Sequence, residues 1–145
     1  MQKFLFLGLV LFAGLSLTRA SLFGRTQSCK AVGRLFCGNA PAANVRVKLV
    51  DEDTGPDPDD ELDAGYTDSD GRFVLSGETK ELSTIDVRLK IYHNCNDHGK
   101  PCAKKWKIEI PDQYITKGAT PKKIFDFGNV NLEVDIEGYE RDCIH

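Results

Sequence analysis

Two histidines and two cysteines lie within the ten-residue stretch HNCNDHGKPC, which runs from position 93 to position 102. Side chains of these two types bind zinc in a tetrahedral arrangement, so the stretch could be a metal site. The candidate ligands are His93, Cys95, His98 and Cys102. The two cysteines could instead close a loop through a disulfide bond. The choice depends on whether the protein is kept in a reducing or an oxidising compartment.

The N-terminus indicates export. Lys3 is followed by an apolar run from Phe4 to Leu17, and small residues stand at positions 18 and 20 before a candidate cleavage point. This layout is typical of a secretory signal peptide, and the run is shorter than the roughly 20 apolar residues that cross a membrane. We therefore expect a signal peptide over residues 1–20, no transmembrane segment and a secreted, extracellular protein. An uncleaved anchor is the alternative.

The mature chain that this cleavage leaves has the size of one ordinary domain. Lys3 and Arg19 leave with the signal peptide, so 17 of the 19 basic residues face 22 acidic residues and the charge becomes −5. A nucleic-acid-binding domain would usually be basic, so we expect no nucleic-acid partner. We expect an N-terminal segment over residues 21–28 and a single domain over residues 29–145.

Strict alternation of apolar and polar residues indicates half-buried strands. It runs through residues 45–49, 85–92, 106–110 and 130–137. Weaker strand patterns cover residues 30–37, 62–67 and 72–75. Seven to eight short strands, each with one polar face, favour an all-β fold, a two-sheet antiparallel β-sandwich.

The connections between these strands carry two further signals. Asp70-Gly71 stands between two weaker strand patterns and predicts a hairpin, because glycine tolerates the positive φ of a tight turn. No long stretch has helical periodicity, so we expect at most one short helix, near residues 80–82 or 112–117.

Spaced motifs along the chain resemble the nematode transthyretin-like family. They are GRLFC at 33–37, VRVKL at 45–49, DPDD at 57–60, TDSDGRF at 67–73, IYHNC at 91–95, PKK at 121–123, NLE at 131–133 and ERDC at 140–143. The resemblance implies a transthyretin-like (prealbumin-like) β-sandwich, secretion and an extracellular role. One activity associated with the family is bridging, in which a secreted member recognises phosphatidylserine on dying cells and an engulfment receptor on other cells.

The family pattern has four cysteines, and Cys37, Cys95, Cys102 and Cys143 match them. We favour a disulfide over zinc in the stretch HNCNDHGKPC, because the chain is expected to be exported and the spacing is not a common zinc-finger spacing. The strands that flank the stretch look like partners, which would bring Cys95 and Cys102 together. We therefore expect the pair Cys95–Cys102, and with it the pair Cys37–Cys143.

The fifth cysteine, Cys29, is extra relative to the family pattern. It lies in the segment TQSCK at 26–30, which looks exposed. Cys29 is therefore the candidate for an unpaired thiol or for an intermolecular disulfide that would make a homodimer. A capped thiol, or a thiol buried by the edge of a strand, is the alternative.

In the topology that the resemblance implies, the strands near 45–50, 85–92 and 104–110 share one sheet. Its polar face would carry Arg46, Lys48, Arg88, Lys90, Lys105 and Lys107, with Asp86 and Glu109 as the acids. The acids Glu133, Asp135 and Glu137 would lie on the other sheet. This predicts a polarised sandwich whose basic face could bind an anionic lipid, a sulfated glycan or an acidic protein. The alternative is that these residues keep the sheet soluble and protect its edge.

Eight acidic residues between Asp51 and Asp63 are uninterrupted by any basic residue. Calcium binds six to eight oxygen ligands, so this loop contains weak candidates for such a site. They are Asp51, Asp53, Asp57 and Asp59. The spacing is not that of an EF-hand, and we expect a solvated acidic loop with no metal and no cofactor.

The sequence does not favour an enzyme. Hydrolases of 5-hydroxyisourate in the wider transthyretin superfamily end in Tyr-Arg-Gly-Ser, whereas this chain ends in ERDCIH, and it contains no Gly-x-Ser-x-Gly. We expect a secreted, non-enzymatic binding or bridging protein that engages an anionic lipid such as phosphatidylserine, a glycan or a cell-surface receptor. A carrier of a small hydrophobic ligand and a residual hydrolase are the alternatives.

Overall fold

A computed structural model of the chain describes residues 24–56 and 58–145. The expected signal peptide, its cleavage point and the calcium candidate Asp57 lie outside the described residues. The strands are β1 (Arg25–Cys37), β2 (Ala40–Pro41), β3 (Arg46–Asp51), β4 (Asp60–Tyr66), β5 (Arg72–Glu81), β6 (Val87–His93), β7 (Ala103–Glu109), β8 (Thr116–Lys117), β9 (Phe125–Asn131) and β10 (Glu140–Asp142). The helix expected near 112–117 is a 3₁₀ turn at Asp112–Tyr114.

The strands form two five-stranded sheets. In the first sheet, β1 is central: β5 pairs with it antiparallel, and β2, β8 and β9 pair along it as well. The second sheet has the order β10-β7-β6-β3-β4 and is antiparallel throughout. The all-β, two-sheet architecture is thus confirmed. The pairing of β9 with β1 is parallel, which local sequence patterns could not indicate.

The core lies between the two sheets and consists of the apolar residues of the alternating segments. Val47, Leu49, Leu89 and Ile91 of the second sheet have no exposed surface, and Trp106 is 2% exposed. They pack in one cluster with apolar residues of the first sheet, which include Ala31, Leu35, Phe73 and Leu75. Each fully buried aliphatic side chain contributes about 2 kcal/mol. The polar residues of the same strands must consequently face outward.

The predicted hairpin at Asp70-Gly71 is wrong. The turn itself forms: the Asp68 carboxylate accepts the N–H groups of Asp70 and Arg72, both at 2.9 Å, and Gly71 has φ +77°. However, β4 belongs to the second sheet and β5 to the first. The connection therefore crosses from one sheet to the other, because β5 pairs with β1 over residues 72–81 rather than with β4.

The strand predicted over residues 130–137 is largely wrong as well. β9 ends at Asn131, whose side chain accepts the N–H of Gly38 at 3.1 Å and donates to its carbonyl at 3.0 Å. The Asn131 carboxamide also accepts the N–H of Glu133, which turns the chain out of the sheet. Val134, expected to be a core residue of this strand, is 58% exposed. A polar side chain that bonds to the backbone here ends the strand despite the continuing alternation.

The expected N-terminal segment is partly a strand. Residues 25–28 belong to β1 and pair with β5, and Gln27 and Ser28 also pair with β8. The Gln27 carboxamide donates to the carbonyl of Ser83 at 2.7 Å and accepts the N–H of Ile85 at 3.1 Å. The domain therefore begins before residue 29.

Candidate binding surface

The disulfides join different partners from those expected. All four predicted cysteines are bonded, but the pairs are Cys37–Cys95 and Cys102–Cys143, so the predicted pairing is wrong. Cys37 ends β1, and Cys95 follows β6 in the other sheet, so the first bond ties the two sheets together. The second bond results from the antiparallel pairing of β10 with β7. Asp142 lies opposite Ala103, so the adjacent residues Cys143 and Cys102 lie close to each other.

No zinc site forms from the four candidate ligands, because both cysteines are in disulfides and His98 is exposed. His93 is buried and 3% exposed, and its Nδ1 accepts the N–H of Cys95 at 3.1 Å. The neutral ring therefore carries its proton on Nε2. The ring lies perpendicular to Trp106, with centroids 5.0 Å apart. His93 is thus a core residue rather than a ligand.

We expect His93 to make the fold less stable in acid. Burial, with a smaller contribution from the Lys104 charge, lowers the pKa of His93 from 6.5 to about 4. As pH falls, His93 takes up a proton in the unfolded chain before it does so in the folded chain. The free energy of unfolding is therefore unaffected by protonation of His93 above about pH 6.5 and falls progressively from there toward about pH 4. Between pH 7 and pH 5, the free energy of unfolding measured in urea should fall by about 2 kcal/mol more in the unsubstituted protein than in His93→Gln. Parallel losses in the two proteins would contradict this assignment.

Cys29 is free, as predicted, but it is not exposed. The sulfur lies in β1 with no accessible surface, and burial raises the pKa of the thiol to about 11. The segment at 26–30 was expected to be exposed, and this expectation is wrong because β1 is the central strand of the first sheet. With the strand in place, Cys29 cannot reach another chain.

An ion pair fastens β10 to the loop between β6 and β7. The Arg141 guanidinium donates to both carboxylate oxygens of Asp97, which is 4% exposed. The same carboxylate accepts from the Asn94 side chain at 3.1 Å. The hydrogen bonds from Arg141 hold the pKa of Asp97 well below its usual range. The end of the chain is thereby positioned on the edge of the second sheet.

The six basic residues predicted to share a face do so, on the outer surface of the second sheet. Cross-strand register places Lys48, Lys90 and Lys107 in one row across β3, β6 and β7. Like charges directly opposite one another destabilise a sheet unless they find partners. The adjacent row carries Arg46, Tyr92 and Lys105.

Acidic residues from outside the three strands neutralise much of this face. Glu52 contacts Lys107 at 2.6 Å and Arg88 at 3.3 Å, and Asp59 contacts Lys90 at 3.2 Å. Lys105 contacts two acids of β10, at 2.9 Å and 3.6 Å. The four additional acids are Glu52, Asp59, Glu140 and Asp142. With Asp86 and Glu109 they make six acids against six bases, so the predicted basic face, with six bases against two acids, is wrong.

The acids expected to polarise the opposite sheet do not lie on it as a strand face. Lys104 Nζ contacts the Asp135 carboxylate at 3.1 Å, and Asn96 donates to the Glu133 carboxylate at 2.8 Å. These contacts place both acids beside the end of the second sheet. They can reach it because the chain leaves β9 at Asn131. The predicted polarised sandwich is not observed.

Two of the six basic residues lie against aromatic rings. The Arg46 guanidinium carbon lies 4.8 Å from the centre of the Tyr66 ring, and Lys48 Nζ lies 5.5 Å from the centre of the Tyr92 ring. The C-terminal residue His145 stacks on Tyr92, with centroids 4.8 Å apart. We call these five residues, Arg46, Lys48, Tyr66, Tyr92 and His145, the aromatic–cation patch. Tyr66 is 61% exposed, so the patch is open to solvent on that side.

Residues 32–111 match the family model TTR-52, described as the transthyretin-like family. The chain belongs to this family. Transthyretin-like protein 46 of Caenorhabditis elegans is 54% identical over 93% of this chain and 74% of its own length. Transthyretin-like protein 33 of the same organism is 48% identical over 83% of this chain and 84% of its own length. Transthyretin-like protein 2 is 40% identical over the full length of both chains.

Among solved structures, this transthyretin-like chain aligns with part of a 9R-lipoxygenase from Cyanothece PCC8801. The TM-score is 0.38 at 26% identity, over 72% of this chain and 16% of that one. A likeness of this degree supports no argument about activity. In the residues described, no helix of the transthyretin-like chain is long and apolar enough to cross a membrane.

Sequence reasoning missed the aromatic half of the patch in this transthyretin-like protein. Tyr92 lies in the strand predicted over residues 85–92 and Tyr66 in the weaker one predicted over residues 62–67, but neither is among the candidate binding residues. The signal that could have found them is their register, since Arg46 opposes Tyr66 on one side and Tyr92 on the other. That register depends on which strands pair. The stacking of His145 on Tyr92 had no local signal.

The described calcium candidates of the transthyretin-like chain separate into two groups. Asp59 pairs with Lys90 and takes part in the neutralised face. Asp51 and Asp53 lie instead in a cluster with two further acids, Asp60 and Glu81. Glu81 lies outside the acidic run of the sequence and was not predicted.

Proposed function

We propose that this transthyretin-like protein is secreted and acts without catalysis, by binding an anionic group outside the cell through the aromatic–cation patch. The observation that carries the proposal is the environment of Arg46 and Lys48. Both lie against tyrosine rings on an outer sheet surface, whereas Arg88, Lys90, Lys105 and Lys107 are engaged in ion pairs.

The chemistry of the patch suits phosphate, sulfate or carboxylate groups. A guanidinium presents a planar fork of donors to such anions, and a tyrosine ring beneath it fixes its plane. Lys48 lies next but one along β3 on the same face and adds a second positive charge. An anionic lipid headgroup such as phosphatidylserine, a sulfated glycan and an acidic patch on a receptor all offer this chemistry.

Two further features support secretion and a non-catalytic role. Two disulfides in a small domain are typical of proteins from oxidising compartments. A thiol nucleophile requires a lowered pKa, whereas burial raises the pKa of Cys29 to about 11. His93, with its pKa lowered to about 4 and its ring buried, is not placed to exchange protons with a substrate.

Charge reversal of the patch tests the proposal. The double variant Arg46→Glu/Lys48→Glu should lose at least tenfold in affinity for its anionic target, since each basic residue near an anionic surface contributes about 1 kcal/mol. Binding is measured to phosphatidylserine vesicles, to phosphatidylcholine vesicles and to immobilised heparin. The affinity of the unsubstituted protein should fall as salt rises.

The matched control is Lys122→Glu/Lys123→Glu, which makes the same charge change at two exposed lysines outside the second sheet. The control should bind as the unsubstituted protein does. The vesicle and heparin arms distinguish a lipid target from a glycan target. Equal losses in the two double variants would show that net charge alone governs binding, and the patch would then have no specific role.

A further inference from the structure

Four carboxylates meet where β3 ends, β4 begins and β5 ends. Asp51, Asp53, Asp60 and Glu81 each bring one carboxylate oxygen within 4.8 Å of the others. Oxygens that bind one calcium ion at about 2.3–2.6 Å lie no more than about 5 Å apart, so one ion fits among these four. Glu81 belongs to the first sheet, and Asp51 and Asp60 belong to the second.

Asp51 distinguishes this cluster from a group of surface acids. Its side chain is 2% exposed, and Oδ1 accepts the N–H of Asp86 at 2.8 Å. Oδ2 is buried and has no hydrogen-bond partner among the residues described. A buried carboxylate oxygen without a partner is costly. A cation held between the carboxylates would satisfy it.

Three of the four carboxylates have no basic partner in the described part of the chain. Among the described residues, no lysine or arginine forms an ion pair with Asp51, Asp60 or Glu81. Asp51 and Asp60 stand directly opposite each other in the β3–β4 register, where like charges repel. Burial raises the pKa of Asp51 and of Glu81. Neighbouring carboxylates raise the pKa of Asp51 further, and a hydrogen bond with Asp60 followed by neighbouring carboxylates raises that of Glu81.

We propose that these four carboxylates, from Asp51, Asp53, Asp60 and Glu81, bind one calcium ion. The ion would tie the end of β5 in the first sheet to the β3–β4 corner of the second. An all-carboxylate donor set suits a hard cation, whereas zinc prefers nitrogen and sulfur ligands. Magnesium usually takes only one or two carboxylates and keeps several waters, so four carboxylates favour calcium.

This site is separate from the aromatic–cation patch. Asp51 lies five residues along β3 from Arg46, a distance of about 17 Å in an extended strand. Calcium binding can therefore succeed or fail independently of the binding role proposed above.

Titration of the purified chain with CaCl₂ and with MgCl₂ at matched ionic strength, followed by calorimetry, tests the site. We expect one calcium per chain with a Kd of about 10⁻⁴ to 10⁻³ M, the range of extracellular modules. Since the ion binds the folded state only, 10 mM CaCl₂ should raise Tm by about 5 °C, and MgCl₂ should raise it by less. Absence of saturable calcium binding, or an equal rise with magnesium, would overturn the proposal.

Glu81→Gln and Asp60→Asn should each weaken calcium binding at least tenfold and remove most of the Tm rise. Without calcium, both variants should be at least as stable as the unsubstituted protein, because a repelling charge has been removed. This second readout separates a lost site from a lost fold. Glu78→Gln is the control: it makes the same change on β5 at an exposed position. If Glu81→Gln responds to calcium as Glu78→Gln does, the site is wrong.

Discussion

Replacing Cys37 and Cys95 together by serine is expected to lower the free energy of unfolding by about 4 kcal/mol. The bond joins residues 58 positions apart and connects the end of β1 to the loop after β6. Removing it frees a long loop in the unfolded chain and takes away the one disulfide that links the two sheets in the described part of the protein. Urea unfolding of the double variant beside the unsubstituted protein measures the loss.

The single variant Cys95→Ser identifies the partner directly. Alkylation without reduction, followed by peptide mapping, should label Cys37 and leave Cys102 blocked. If Cys102 is labelled instead, the bond predicted from sequence, Cys95–Cys102, is the one that forms. The two outcomes are exclusive, because each pairing releases a different thiol.

Gly71→Ala should be strongly destabilising, by about 3 kcal/mol or more. Gly71 has φ +77°, and a Cβ built there would lie 2.2 Å from the carbonyl oxygen of Leu35. That carbonyl accepts the N–H of Ala42 at 2.9 Å, and the Leu35 N–H donates to the Gly71 carbonyl at 2.8 Å. The methyl group would therefore break the contact between the crossing turn and β1.

Gly128→Ala separates the two causes of this loss, which are the strain of a positive φ and the clash of the new methyl group with β1. Gly128 has φ +78°, and a Cβ there would meet nothing within 4 Å. The control keeps the strain of a left-handed residue, about 1 kcal/mol, and lacks the clash. Thermal and urea unfolding of both variants should show the larger loss at Gly71. Equal losses would mean that the turn yields and that close approach to β1 is not required.

The neutralised face and the carboxylate cluster share one loop. Glu52 and Asp59 reach the lysine row of the second sheet, while Asp51, Asp53 and Asp60 turn toward Glu81. The acidic run between β3 and β4 thus serves two surfaces. The run was expected to be a solvated loop, because its spacing is not that of an EF-hand. Its length and composition do not show which of its side chains face each sheet.

Local patterns located several elements well. Alternation at 45–49, 85–92 and 106–110 corresponds to β3, β6 and β7, which are neighbours in one sheet as expected. It failed at 132–137, because the Asn131 side chain takes over the backbone bonds that would have continued the strand. Alternation of apolar and polar residues indicates which side chains can be buried, whereas a local hydrogen bond decides whether the strand continues.

The amino-acid sequence by itself determined the all-β sandwich, since that follows from residue type and short-range spacing. The four bonded cysteines and the common face of the six basic residues were expected from the resemblance to the transthyretin-like family. The tertiary structure alone decided that Cys95 meets Cys37 rather than Cys102, that β10 brings Glu140 and Asp142 onto the basic face, and that Glu81 joins Asp51 across 30 positions. These contacts depend on which distant strands pair, as β1 does with β5 and β7 with β10. Pairing is selected by the burial of whole sheet faces against each other, and no short window of sequence carries that information.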